Sequence, residues 1–327
     1  MHVTITGAAG FLGRKLAGRI AAEGAIGGRP VSGMTLFDVI AAEAPAAPFP
    51  VRCVTGDIAD APTVAGLVTA ATGVVVHLAA IVSAQAEADF DLGWRVNLDG
   101  TRTLLEACRA AGSRPRVVFT SSVATFSGGQ GAVIRDETRP VPGNSYGAQK
   151  AAGELLIHDY TRKGFVDGVA LRLPTVVVRP GRPNRAASSF ASSILREPFL
   201  GEEANLPVPE DFALWIASPR TATAWLLHAC AIDGGALGLD RGVNPPGLTV
   251  TVGQMLAVLR AVGGAEAARL VRRVEDREVA DIVGTWPARF DDARARALGF
   301  PPHESLEALL RAFLEDDLAA TRALRSA

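Results

Sequence analysis

The chain has 327 residues, 48% hydrophobic and 20% charged, with 33 basic and 34 acidic side chains and a formal charge of -1. That length holds one large α/β domain or a domain with a smaller lobe, and this apolar content excludes a disordered chain. Without a basic excess to neutralise phosphate backbones, nucleic acid is not an expected partner.

The strand-like runs appear early. The N-terminus reads as a strand running straight into a glycine loop, with no basic segment, apolar core and cleavage site of a secretory signal. Short β-branched runs follow at residues 3–6, 34–37, 51–54, 74–77, 117–120 and 169–173, all read as buried strands. Between them lie helical patterns at 11–22, 62–70, 90–110 and 145–162. The alternation predicts a doubly wound α/β fold, a parallel sheet with helices on both faces. The alanine- and proline-rich stretch 41–50 reads as a surface loop. The apolar stretch 70–84 is broken by Gly73 and His77 and is too short to span a bilayer, so a cytoplasmic protein with no membrane partner is expected.

Past Val178 the pattern changes. The prolines of Arg179-Pro180-Gly181-Arg182-Pro183-Asn184 cannot continue a central strand, because proline removes ladder donors. Helical patterns recur at 190–196, 221–231, 252–262 and 305–324. Residues 1–178 are therefore read as a dinucleotide-binding domain and 179–327 mainly as a substrate lobe. Residues 221–246 are expected to rejoin the first domain, Gly242, Val243 and Asn244 by returning to the sheet.

Gly7, Gly10 and Gly13 sit between the first strand and the first helix, around Phe11 and Leu12. Glycines there permit a tight turn, close backbone approach to a pyrophosphate and helix–strand packing, and the helix N-terminus offers free N–H groups to the phosphates. Asp38 ends the second strand, where a carboxylate accepts hydrogen bonds from ribose hydroxyls and repels a 2′-phosphate; NAD is favoured over NADP. Asp57, after the third strand, is placed to meet the adenine.

Tyr146 and Lys150 lie one turn apart on one helix face. With only two tyrosines and three lysines in the chain, accidental Tyr-x-x-x-Lys spacing is rare, roughly 2%. A phenol is a poor base at neutral pH, but a nearby ammonium and the nicotinamide charge favour phenolate. Ser121 and Ser122 follow the fifth strand at the ligand-binding edge of the sheet. Either could face Tyr146, with Ser122 the first choice.

This order of motifs, with Val74 to Ala80 and Val96 to Thr101 between them, resembles the extended short-chain dehydrogenase/reductases over essentially the whole chain. The resemblance implies that Tyr146 takes the hydroxyl proton, Lys150 binds ribose and supports the phenolate, and Ser122 orients the substrate. It also implies cofactor contacts at Phe11, Leu12, Ile58, Leu78, Ala79, Ala80, Asn97, Pro174 and Val176, and a homodimer through the 90–110 and 145–162 helices.

A narrower resemblance is carried by Asp159 to Gly168, Leu171 to Thr175, Arg179 to Gly181, Ala186 to Phe190 and Arg196 to Pro198. It is to dehydrogenases that oxidise the C2 hydroxyl of a four-carbon sugar acid. Such an anion needs a cation and hydroxyl-rich walls. Arg179 is the first expectation for the carboxylate, with Arg182 and Arg196 as competitors; Ser83, Ser188, Ser189 and Val123 complete the expected wall. Trp286, within a stretch resembling the short-chain L-threonine dehydrogenases, either closes the site or packs the lobe. The alternatives are a threonine dehydrogenase, a nucleotide-sugar epimerase, and a non-catalytic NAD sensor. The last has no use for Tyr146, Lys150 and Ser122 together.

Cys53, Cys108 and Cys230 are far apart without Cys-x-x-Cys spacing, and the five histidines make no ligand-like cluster. Reduced thiols and no metal are expected.

Overall fold

The computed structural model describes residues 1–129, 131–182 and 186–326. Seven parallel strands form the central sheet: β1 (His2–Thr6), β2 (Gly33–Asp38), β3 (Val51–Thr55), β4 (Thr72–His77), β5 (Arg116–Ser122), β6 (Asp167–Leu173) and, later in the chain, β9 (Gly242–Val243). Their spatial order is β9-β6-β5-β4-β1-β2-β3, so the winding reverses between β1 and β4. At such a reversal the connections leave to opposite faces and open a crevice at the carboxyl ends, where α/β sheets bind ligands. The strands β1, β2, β4, β5 and β6 are buried along almost all their length, covered by α1 (Phe11–Glu23), α2 (Gly100–Ala111), α3 (Ser145–Arg162) and α5 (Pro219–Ala231). One expectation needs correction: β3 is largely exposed, because as an edge strand it has β2 alone beside it.

Local chemistry also moved several helix ends. The expected helix over 90–110 is divided into Phe90–Trp94, a wider π turn Arg95–Asp99, and α2. The π turn turns the side chain of Asn97 inward, where it holds the backbone of Ile81. The helix expected at 62–70 is confined to Ala61–Ala65 and stops at Gly66. That expected over 305–324 is broken into Leu306–Asp316 and Leu318–Ser326 at Asp317, whose carboxylate lies 2.8 Å from Lys15.

Beyond β6 the chain builds a second unit. A small sheet joins β7 (Thr175–Val176), β8 (Ala213–Ala217) and β10 (Leu248–Thr251), flanked by α4 (Ser189–Arg196) and α6 (Val252–Arg269). It has its own hydrophobic core around Ile194, Leu195, Met255, Leu259 and Phe313. Pro183 and Asn184 of the expected strand break lie outside the described residues. No helix among the described residues is long and apolar enough to cross a membrane.

Inside this second core Arg196 is 1% exposed. Its guanidinium donates to Glu197 Oε1 at 2.7 Å and to the carbonyl of Arg179 at 2.6 Å. Removing one partner of a buried ion pair leaves an uncompensated charge. Glu197→Ala is therefore expected to destabilise the protein by about 3–5 kcal/mol in denaturant unfolding; a loss below ~1 kcal/mol would show that solvent reaches the pair.

Candidate active site

The glycine loop is shaped for a ligand's backbone-close approach. Gly7 has φ of +72°, and a Cβ there would lie 2.6 Å from the nitrogen of Ala79. A Cβ on Gly13 would lie 2.4 Å from the carbonyl oxygen of Gly7, so only glycine lets α1 start this close to β1. Asp38 Oδ2 accepts the N–H of Ala9 at 2.9 Å, tying the loop to the end of β2.

Two adjoining cavities flank this loop. One, of about 300 Å³, is lined by Asp38, Asp57, Ile58, Ala79, Ala80 and Arg95. Arg95 had no signal in sequence, since it joins the site only through the fold. It pairs with Asp57, whose other oxygen accepts the N–H of Ala59 at 2.9 Å. The Arg95 guanidinium therefore holds the Asp57 carboxyl below its usual range. The other cavity, of about 320 Å³, runs from Gly7, Phe11 and Leu12 past Leu78 to Pro174 and Val176, and holds Ser122, Tyr146 and Lys150. The pair of cavities fits a dinucleotide laid across the sheet reversal, with the glycine loop between its halves.

The reactive groups converge on the second cavity. Asn144 caps α3 by accepting the N–H of Gly147 at 2.8 Å. A Cβ at Gly147 would lie 2.2 Å from the carbonyl oxygen of Ala124, so the glycine lets the first turn of α3 press against the loop after β5. That approach sets Tyr146 beside Ser122 in the wall of one cavity. The neighbouring serine is diverted: Ser121 donates to Glu154. The choice between the serines falls to Ser122. Burial raises the Tyr146 phenol above its ordinary pKa, while Ser122 and then the Arg179 charge pull it down. Lys150 is 2% exposed, with its ammonium 4.8 Å from the Phe119 ring centre and 5.7 Å from that of Tyr146. Burial pushes it down to about 7 against the opposing pull of Glu154.

Ser83, Val123, Arg179, Ser188 and Trp286 also line this cavity. Arg179 is anchored by donating to the carbonyl of Val176 at 3.0 Å and to Ser188 Oγ at 3.1 Å. Burial lowers it to about 10, and Tyr146 is the main opposing influence. It remains a cation at neutral pH. Three expectations need correction. Arg196 is spent on Glu197 and the Arg179 carbonyl, and Arg182 is exposed, so neither competes with Arg179. Ser188 rather than Ser189 lines the cavity, because Ser189 already begins α4. Asn97 is turned away from both cavities and binds Ile81 and Gln149, supporting the loop that carries Ala79 and Ala80. Among the described residues no group of His, Cys, Asp and Glu is placed to hold a metal ion. His77, whose ring bonds Thr6 and Thr101, is buried and held down to about 3, hence neutral.

A nucleotide-type crevice with a Ser–Tyr–Lys group at its reactive end defines an NAD-dependent oxidoreductase or isomerase. Residues 3–211 match the model of the NAD dependent epimerase/dehydratase family, and the chain belongs to that family. It is 51% identical to a D-erythronate dehydrogenase of Cupriavidus necator, over 97% of this chain and 98% of that one. It is 42% identical to a D-erythronate dehydrogenase of Haemophilus influenzae, over 97% and 100% of the two chains. A solved nucleoside-diphosphate-sugar epimerase from Agrobacterium tumefaciens superposes with a TM-score of 0.93 at 47% identity, covering 98% of this chain and 95% of that one. The cofactor is NAD.

Asp38 lines the cavity on the far side of the glycine loop, where a carboxylate is expected to favour NAD over NADP. Turnover with NAD should far exceed that with NADP, and Asp38→Ser should narrow the gap. Comparable kcat/KM for both cofactors in the unaltered enzyme would remove Asp38 from this role.

Proposed function

We propose that the protein oxidises the C2 hydroxyl of D-erythronate, giving 2-dehydro-D-erythronate. The observation that carries this reading is the convergence of Tyr146, Ser122 and Arg179 on one small cavity. Two relatives matched over nearly their whole length are named D-erythronate dehydrogenase, which supports this reading.

Bound NAD supplies the acceptor for the hydride leaving C2. The protein does the rest. Ser122 and Tyr146 hold the C2 hydroxyl, and Tyr146 in its phenolate form takes the hydroxyl proton, becoming a phenol, as the carbonyl forms. Tyr146 rests as a neutral phenol because burial disfavours the anion, so charge is needed to form phenolate. Lys150 supplies part of that charge and binds the cofactor ribose. Arg179 receives the substrate carboxylate in its planar fork, and Ser83, Ser188 and Val123 line the remaining wall while Trp286 closes the cavity.

An epimerase reading has one observation in its favour, the name of the Agrobacterium relative. The cavity of about 320 Å³ counts against it, because the reactive half of the cofactor shares that space with the substrate. Little volume remains for a nucleoside diphosphate. We also propose a cytoplasmic homodimer. Phe90 and Leu155, on the two helices expected to pair, are 59% and 71% exposed.

The test is NADH release with erythronate, threonate, threonine and tartrate offered in parallel. Erythronate is expected to give the highest kcat/KM; conversion of a nucleotide sugar without NADH release would transfer the enzyme to the isomerases. Tyr146→Phe deletes only the ionising oxygen, so NAD binding should persist while kcat falls by orders of magnitude. Near-normal turnover in that variant would mean that another group takes the proton.

Arg179→Ala should lower kcat/KM for erythronate by roughly ten- to a hundred-fold, the loss of a charge-assisted clamp of about 1.5–3 kcal/mol. Erythritol, which lacks the carboxylate, should be a poor substrate little affected by the change. The erythronate-to-erythritol efficiency ratio is the quantity to compare. An unchanged ratio would show that the carboxylate does not lie against Arg179.

A further inference from the structure

A buried network lies directly behind the catalytic pair. Glu154 stands one turn beyond Lys150 on α3, as Lys150 stands one turn beyond Tyr146, so the three share a helix face. The Glu154 side chain is 10% exposed and that of its partner Arg172, on β6, is 5% exposed. Arg172 donates to it in a fork, Nε to Oε1 and Oε2 at 3.1 Å and Nη2 to Oε2 at 2.8 Å. Ser121, at the end of β5, donates to Oε1. One carboxylate thus fastens together α3, β5 and β6.

We infer that Glu154 is a positioning residue for the reaction proposed above, the fixed counter-charge that keeps Lys150 an ammonium ion. The inference rests on the assignment of Lys150 to the cofactor ribose. A buried lysine is driven toward its neutral form, and a neutral amine neither favours phenolate nor offers three donors to a ribose. The groups around Lys150 are limited in kind. His77 from β4 is neutral, Phe119 from β5 presents a ring face, Tyr146 is a phenol at rest, and Arg179 faces Tyr146 from beyond β7. Glu154 is the anion that acts on it, one helical turn away, and its charge opposes the burial that drives Lys150 toward the neutral amine. Glu154 is itself gripped by the Arg172 fork, and Asp240 and Asp136 act on Arg172 from the other side. On that side Glu154 and Arg172 line a cavity with Asp136, Glu137, Arg139, His158, Asp240 and Arg241. Charge of both signs there leaves Arg172 as the partner that fixes the carboxylate. Ser121 adds a geometric function: its bond to Glu154 turns the adjacent Ser122 toward Tyr146.

The sign of the effect is defined. Lys150 is protonated below its pKa, so NAD affinity should weaken as pH rises through that value. Removing the counter-charge lowers the value, and the weakening should begin at lower pH. The experiment measures NAD Kd against pH by titration calorimetry for the unaltered protein, Glu154→Gln, Glu154→Asp and Lys150→Met, each checked for folding by circular dichroism. In Glu154→Gln the midpoint should fall by about one pH unit, the size of an ordinary neighbouring-charge effect. Glu154→Asp keeps the charge but withdraws it by a methylene, and should show a smaller fall in the same direction. Lys150→Met should lose this pH dependence. If Glu154→Gln fails to fold, Glu154→Asp carries the test. A folded Glu154 variant with lowered thermal stability but an unmoved midpoint would overturn the inference, since that is the result of a merely structural ion pair. Persistence of the pH dependence in Lys150→Met would instead overturn the assignment of Lys150 to the cofactor, and this inference with it.

Discussion

The ammonium of Lys150, almost fully buried, is the constraint on which the site depends. A buried cation must be paired or it loses its proton. Here the surroundings divide that task. Phe119 and Tyr146 present ring faces, whose electron-rich π clouds attract a cation. Glu154 stands one turn on, itself fixed by Arg172 and Ser121. Each helps position a reactive group as well. The helix that brings Lys150 inward also brings Tyr146, and the strand end that supplies Ser121 also presents Ser122. The two serines are split by geometry, one toward structure and one toward chemistry.

The cofactor end depends on backbone proximity rather than on side-chain charge. Gly7 and Gly13 bring β1, α1 and the loop after β4 closer together than any residue with a Cβ could. Asp38 braces the loop through Ala9, so the carboxylate expected to select ribose hydroxyls also fixes the glycine loop. Asn97 acts at one remove. Turned inward by a π turn, it satisfies both backbone groups of Ile81 and so supports the Ala79–Ala80 loop. The reversal of winding between β1 and β4 gives these features a common crevice.

Around the proposed substrate end, cations that are alike in sequence have different tasks. Arg196 is a structural charge whose guanidinium bonds the carbonyl of Arg179. Arg179 is thereby fixed at its backbone, and its side chain is directed by Ser188 and Val176 toward the cavity that holds Tyr146. The anchoring reduces the rotamer freedom a substrate would otherwise have to remove.

The amino-acid sequence by itself determined the alternating α/β order, the glycine loop, Asp38, and the Tyr146–Lys150 spacing. These are local properties: strand and helix periodicity, glycine's access to positive φ, and the i, i+4 geometry of one helix. It also placed Arg179 beside the expected mouth of the site. The tertiary structure decided what depends on partners far apart in the chain. It sent Ser121 to Glu154 and Ser122 to Tyr146, buried Arg196 against Glu197, turned Asn97 onto Ile81, and brought Arg95 to Asp57. It left β3 exposed because edge position is a property of the whole sheet. Sequence records which groups a side chain carries; the direction those groups face depends on which neighbours the fold supplies to satisfy them, and that information is non-local.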